Sequence, residues 1–341
     1  MSSPLRLVFL GSDPIALPLL DWLAGEGSGL AQVIAVFTQP DRPVGRGQHV
    51  APNAIKSWAL TRGLPVYQPE KLTDETRLQL AALSADVSLV LAYGHLLRDE
   101  FIATPRLGTL NLHASILPRY RGASPIQTAI ACGERETGVS LMRIVRRLDA
   151  GPVADVARVP IGPQDTAIEI EARLAAACVS LLTRTLPALR AGDLAFVAQD
   201  EAQATYCRRL QKTDGALDFA VPASQLAARI NGLFPWPACG IEINGQPIKF
   251  GLAEVRPESA GQPIGLAPGS AGQVLGHDQE GLLIATAEGV LRVRRLQRPG
   301  ARMLPAVEFL RGFPVAPGLQ LVSCPMLPLE GPAPFRREAR P

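Results

Sequence analysis

Asn111, His113 and Asp149 are the residues of this chain whose types and spacing best suit chemistry. In the stretch TLNLHASI, Thr109, Asn111, His113 and Ser115 are polar while Leu110, Leu112, Ala114 and Ile116 are apolar, which is the two-residue period of a strand. Residues two apart on a strand project to one side, so the Asn111 amide and the His113 imidazole converge on one small volume. Asp149 falls in the loop after the next expected strand and can face them. Such a set suits acyl transfer to an amine. The attacked carbonyl carbon becomes tetrahedral and its oxygen gains negative charge, which Asn meets with a neutral donor and protonated His with a charged one. The carboxylate supports the charged imidazole and relays the amine's proton. The same residues fit equally a buried, satisfied histidine and a turn aspartate.

The elements around them explain the placement. A strand inside an α/β sheet is normally apolar on both faces because helices cover both, so a polar face needs a reason. Beyond it, Ser124-Pro125 predicts a helix start, an N-cap followed by a first-turn proline. Strand, loop and helix start put Asn111 and His113 at the carboxyl edge of a parallel sheet, where open α/β sheets bind ligands. Further strands are expected at 5–10, 33–38, 64–67, 86–92 and 138–145, and helices after the first turn, at 53–62, at 73–83 and at 165–189 with Ile168, Leu174, Cys178 and Leu181 inward. The 86–92 strand ends at Tyr93-Gly94-His95, on the same edge. Alternating strands and helices predict a Rossmann-like α/β domain with a parallel sheet. Its first turn, Gly11-Ser12-Asp13-Pro14, lacks the G-x-G-x-x-G fingerprint, so a nicotinamide cofactor is not expected.

At 341 residues the chain fits two domains. The expected division is an α/β domain at 1–191, a linker at 192–207, a smaller OB-like β-barrel at 208–320 and a proline-rich, poorly ordered tail at 321–341. In the second domain Asn244-Gly245 is a type I′ hairpin signal, with strands at 272–276, 282–287 and 290–296 and a helix at 224–232. Phe234-Pro235-Trp236-Pro237 suits a rigid packing corner better than a base-stacking platform. No apolar run approaches the roughly 20 residues of a membrane span, and the N-terminal apolar run leads straight into a turn, so a cytoplasmic protein without a membrane partner is expected, as a monomer. Five cysteines, far apart and in no C-x-x-C pair, suggest neither a disulfide framework nor a zinc site.

Net charge is +3, and lysine occurs only at Lys56, Lys71, Lys212 and Lys249, so the cations are mostly arginine, the better bidentate phosphate ligand. Genomic base composition would give the same bias. Arg42 and Arg46 sit in a Gly- and Pro-rich segment that reads as a loop, either a phosphate-binding finger or a solvated turn. Arg292, Arg294, Arg295, Arg298 and Arg302 follow one another without an intervening acid, which fits a nucleic-acid backbone track or an ordinary charged barrel edge.

FTQPDRPVGRG at 37–47, LAYGHLL at 91–97, NLHASILPRYRGASPIQ at 111–127, TGVSLMRI at 137–144, LDAG at 148–151 and the Pro-Trp-Pro corner together resemble methionyl-tRNA formyltransferases, over residues 5–315. His113-x-Ser115-x-Leu117-Pro118 looks like the signature shared by enzymes that use 10-formyltetrahydrofolate. The resemblance implies that Asn111, His113 and Asp149 are the catalytic set. It implies that Ser115, Ile116, Leu117 and Pro118, with Tyr93 and Gly94, border the folate, and that no metal is required. It further implies that initiator methionyl-tRNA is the partner and that Arg46, on the loop it shares with Arg42, meets the acceptor end, while the trailing barrel is similar to that of the tRNA-directed branch. Arg146-Arg147 depart from the family pattern, and two arginines beside Asp149 would act on its charge if they lie close. A formyltransferase for a small amine, or a non-catalytic RNA-binding protein, are the competing expectations.

Overall fold

Val8, Phe9 and Leu10 are completely buried, as befits a strand covered on both faces, and β1 (Leu5–Gly11) lies within a seven-stranded sheet. The computed structural model describes residues 3–44, 49–257 and 269–335. The other strands of this sheet are β2 (Ala31–Phe37), β3 (Val66–Tyr67), β4 (Val87–Leu91), β5 (Thr109–His113), β6 (Glu136–Arg143) and β7 (Val153–Pro160), in the order β7-β6-β5-β4-β1-β2-β3. The pairs from β5 through β4, β1 and β2 to β3 are parallel. The β5–β6 pair is antiparallel, so the sheet is mixed on the side of β5 that was expected to stay parallel. Strand β7 was not expected at all. Its VADVARVP sequence mixes polar and apolar residues because it ends the sheet and is only partly covered.

Helices α1 (Leu17–Ala24), α2 (Ala54–Leu60), α3 (Asp74–Ala82), α4 (Asp99–Ile102) and α5 (Pro125–Ala131) follow the strands in turn. Their starts are chemically marked. Asn53 Oδ1 accepts from the Lys56 amide at 3.0 Å, and Thr73 and Thr76 form a reciprocal capping box. Ser124 stands at the α5 N-cap with Pro125 in the first turn, but its side chain makes no capping bond. The long α6 (Ala167–Ala191) is apolar enough, by length and composition alone, to cross a membrane. Its buried residues Ile170, Leu174, Cys178, Leu181 and Leu182 recur every three or four positions, the stripe of a helix packed on a core. Ile168, expected inward, is exposed.

The chain forms two compact units, and they are not contiguous stretches: Met1–Arg121, Gly138–Val159 and Glu171–Ala204 make the first, and Gly122–Thr137, Pro160–Ile170 and Thr205–Pro341 the second. In the second unit α5 packs on α7 (Ala223–Leu233) through Gly232, where a Cβ would come within 2.7 Å of the Gln127 carbonyl oxygen. Such close packing explains why α5 belongs there, although it follows the site-bearing strand. The main sheet of this unit is antiparallel, with β8 (Cys239–Ile243), β9 (Gln246–Val255), β10 (Val274–His277), β11 (Leu282–Ala285) and β12 (Val290–Gln297) in the order β8-β9-β12-β11-β10 and Leu304–Pro305 added to β12. Bulges where β9 meets β12 curl it toward the expected barrel shape. At the β8–β9 hairpin Asn244 and Gly245 both have positive φ, 49° and 72°, as a type I′ turn requires. Helix α8 (Ala306–Gly312) was not expected. Part of the segment read as a tail is folded in: Leu321 and Leu329 join the core and Glu330–Gly331 pairs with Tyr206–Cys207.

Candidate active site

Strand β5 sets Asn111 opposite Val90 of β4 and Met142 of β6, and His113 opposite Ser140. His113 is 6% exposed, and its Nε2 lies 2.9 Å from the Tyr120 carbonyl oxygen. A carbonyl only accepts, so Nε2 carries a hydrogen and Nδ1 is the position left for chemistry. Nδ1 faces Asp149, whose Oδ2 is 3.8 Å away. That is beyond hydrogen-bond length but close enough for direct charge interaction when the ring is protonated. The half-buried Asn111 amide makes no hydrogen bond to a described residue, so its donors are available. The strand and the loop therefore bring His113 and Asp149 together, and Asn111, two residues before His113 on β5, shares its strand face.

The backbone is held in costly conformations around this point. Ala92, Tyr120 and Asp149 have φ of 51°, 57° and 46°, and a non-glycine residue there costs of order 1–3 kcal/mol. Ala92 precedes Tyr93, Tyr120 supplies the carbonyl behind His113, and Asp149 supplies the carboxylate in front. The two arginines that precede the Leu148-Asp149 pair turn elsewhere: Arg147 Nη2 binds Glu201 Oε2 at 2.6 Å, and Arg146 Nη1 is 3.9 Å from Asp99 Oδ2. Where the loop ends, a Cβ on Gly151 would overlap the Arg143 carbonyl oxygen.

Ser115 is fully buried, and its hydroxyl donates to the Arg119 carbonyl at 2.7 Å, so it shapes the 115–119 loop from within. Ser140 of β6 does the same from outside, accepting from Leu117 N at 3.1 Å and donating to the Ser115 carbonyl at 2.7 Å. Ile116 and Pro118 are half-buried and Leu117 is buried. Ser140 carries no signal in the sequence beyond its register with His113. Tyr93 is buried, its hydroxyl has no partner among the described residues, and burial pushes its pKa above the ordinary value. Next to it Gly94, at φ 81°, is exposed. His95 Nε2 is also buried without a partner among the described residues. Burial and the Arg42 charge lower the His95 pKa against a hydrogen bond with the Pro69 backbone, which favours the neutral ring.

A polar network missed from the sequence ties the end of β2 to its neighbours. Gln39 N donates to Ser12 Oγ at 3.0 Å and Gln39 Nε2 to the Tyr93 carbonyl at 3.0 Å, while Asn53 Nδ2 and Gln68 Nε2 donate to the Gln39 carbonyl at 3.1 and 2.8 Å. Hydrogen bonds from Lys56 and Gln68 hold the Asp41 carboxyl below its usual pKa. This network anchors the segment that was read as a loop, where Arg42–Val44 pairs antiparallel with His49–Ala51. Arg42 is exposed on this small hairpin; Arg46 lies outside the described residues.

The barrel arginines divide into two groups. Arg292 is 7% exposed and caged by Glu254 at 3.0 Å, Asp278 at 2.6 Å and Glu280 at 2.5 Å, and Arg294 binds Glu254 at 3.2 Å. Acids from β9 and the 278–280 turn thus complete what the linear sequence showed as an acid-free run. Burial pushes the Glu254 carboxyl up, but hydrogen bonds from Arg292 and Gln164 and the Arg294 charge hold it below its usual value. Arg295, Arg298 and Arg302 are exposed. Arg298 Nε donates to Gln246 at 3.1 Å, and Arg302 pairs with Glu308 at 3.1 Å. Arg292→Ala should destabilise the protein by about 3 kcal/mol in urea unfolding, because it strands partly buried carboxylates. Carboxylates with depressed folded pKa stabilise above their unfolded pKa and lose that contribution as pH falls through the folded one, so the variant should show a shallower acid limb of stability.

Among the described residues no group of three or more His, Cys, Asp or Glu is arranged to hold a metal. Residues 5–186 match the family described as formyl transferase, and residues 209–314 match formyl transferase, C-terminal domain. The methionyl-tRNA formyltransferase of Ectopseudomonas mendocina is 40% identical over 94% of this chain and 99% of its own length. That of Methylococcus capsulatus is 40% identical over 92% and 98%. Among solved structures, the N-formyltransferase from Helicobacter canadensis has the same fold, with TM-score 0.61 and 17% identity over 86% of this chain and 99% of that one. HypX from Aquifex aeolicus has TM-score 0.59 and 16% identity over 90% of this chain, which spans 47% of HypX. With both domain models matched in order and relatives aligned almost end to end, the chain belongs to the methionyl-tRNA formyltransferase family.

Proposed function

We propose that this protein transfers the formyl group of 10-formyltetrahydrofolate to the α-amino group of methionine esterified to initiator tRNA. The observation that carries it is the His113 geometry, with Nε2 anchored on the Tyr120 carbonyl and Nδ1 turned to Asp149 beside the uncommitted Asn111 amide. The names of the nearly full-length relatives supply the acceptor. The folate supplies an activated formyl carbon. As the amine attacks, Asn111 and protonated His113 donate to the formyl oxygen, whose charge grows toward the transition state. Asp149 supports the charged ring and passes on the amine's proton, and the departing folate nitrogen gains one. The loop from Ser115 to Pro118, with Tyr93 and Gly94, borders the folate. The orphaned Tyr93 hydroxyl and His95 nitrogen fit a ligand with polar edges.

Arg42 and Arg46 meet the acceptor end of the tRNA, and the exposed Arg295, Arg298 and Arg302 meet its backbone, while Arg292 and Arg294 hold the sheet. The protein works as a cytoplasmic monomer, away from membranes. Arg295→Ala should raise KM for charged tRNA about 3- to 10-fold and reduce the salt dependence of that step by about one ion, leaving KM for the folate unchanged. An effect confined to the folate would remove Arg295 from the tRNA surface. The function itself is tested by offering 10-formyltetrahydrofolate with charged initiator tRNA and an amino-sugar nucleotide in competition. Formyl-methionine on the tRNA is the expected product, and formylation of the small amine alone would assign the chain to the other branch.

A further inference from the structure

Arg121 follows the residue whose carbonyl anchors His113, and its side chain is fully buried. A guanidinium keeps its charge, so its burial requires partners of good geometry. The segment read as a linker supplies them: Gln199 Oε1 accepts from Arg121 Nε at 3.1 Å and Nη2 at 2.8 Å, and Glu201 accepts from Nη1 at 3.1 Å and Nη2 at 2.9 Å. Since Arg121 only donates, the Gln199 amide can face it only with its oxygen. Its nitrogen is thereby aimed the other way, and both hydrogens are used on the catalytic loop: Nε2 donates to the Asp149 carbonyl at 2.8 Å and to the Gly151 carbonyl at 2.7 Å. Glu201 holds the same loop through Arg147, and paired Val153 and Val197 backbone bonds of 2.8 Å keep the segment in register. These charge-assisted bonds hold the Glu201 carboxyl down at about 2.

We infer that Gln199 is a positioning residue, which reads the buried Arg121 on one side and fixes the left-handed Asp149 on the other, so that the Asp149 carboxylate stays in front of His113. The inference rests on the proposed roles of His113 and Asp149. The segment at 199–201 then positions the Asp149 loop and is not a passive connection.

The test uses the full-length protein with 10-formyltetrahydrofolate and charged tRNA. Gln199→Glu keeps the acceptors for Arg121 but cannot donate to the two carbonyls. Its kcat should fall about 10- to 50-fold with both KM values within about twofold and the urea midpoint close to that of the parent. Combined with Asp149→Ala, it should cost nothing more, because it acts through that carboxylate. Gln199→Met, which removes donor and acceptor at similar length, should show the same lack of additivity. If Asp149→Ala loses its rate but Gln199→Glu stays within twofold of the parent, or if the losses multiply in the double variants, the positioning role is wrong while the site stands. If Asp149→Ala itself keeps its rate, the proposed site fails and this inference with it.

Discussion

His113→Ala lowers kcat for formyl transfer by about 100-fold or more, with KM for tRNA and folate changed by no more than a few-fold. The ring is buried and anchored at Nε2 by the Tyr120 carbonyl, so its removal takes away the group at Nδ1 while the 115–119 loop keeps its own hydrogen bonds. In the proposed mechanism Asn111, uncommitted to any described residue, still donates to the oxyanion, so activity should not vanish. Asp149→Ala should behave alike, since Nδ1 is 3.8 Å from Oδ2 and loses its charge partner. Steady-state rates of formyl-methionine formation, read beside urea midpoints, check both. A variant within threefold of the parent would remove that residue from the mechanism.

Gly151→Ala gives the second large effect, by a different physical route. The added methyl would overlap the Arg143 carbonyl oxygen, which is backbone of β6 and cannot swing aside as a side chain could. The Asp149 loop must therefore move, and a displacement of about 1 Å at a catalytic group can cost about 100-fold in rate. The expected result is a fall in kcat approaching that of Asp149→Ala, with unfolding shifted by no more than about 3 kcal/mol. Retained turnover in this variant would show that the loop tolerates a different path and that its closure on Arg143 is not needed for chemistry.

The candidate site was legible where residue chemistry coincides with periodicity. Asn111 and His113 stand out because a strand repeats every two residues and its buried faces should be apolar. Asp149 was singled out by its place after the next strand, and its carboxylate lies 3.8 Å from His113. Hidden were the groups that act through register or across the chain. Ser140 matters because it lies opposite His113, and Gln199 because Arg121 orients it from 78 residues away. The arginine run misled for the same reason: Glu254 lies 38 residues from Arg292, and the acids of the 278–280 turn approach it only after folding. In the fold, the long apolar strands and capped helices were legible, whereas β7 and the short hairpin at Arg42 were too mixed or too brief to show a period. The antiparallel turn of β6 could not be read from a strand's own residues, since pairing direction depends on the connection.

The most direct test of the central claim is single-turnover transfer of labelled formyl from 10-formyltetrahydrofolate to methionine esterified to initiator tRNA, for the parent and for Asp149→Asn. The variant keeps the shape of the side chain and removes its charge. The account predicts labelled N-formylmethionine on the tRNA from the parent and a transfer rate about 100-fold lower from the variant. No label on methionine from the parent, or equal rates from the two proteins, would contradict it.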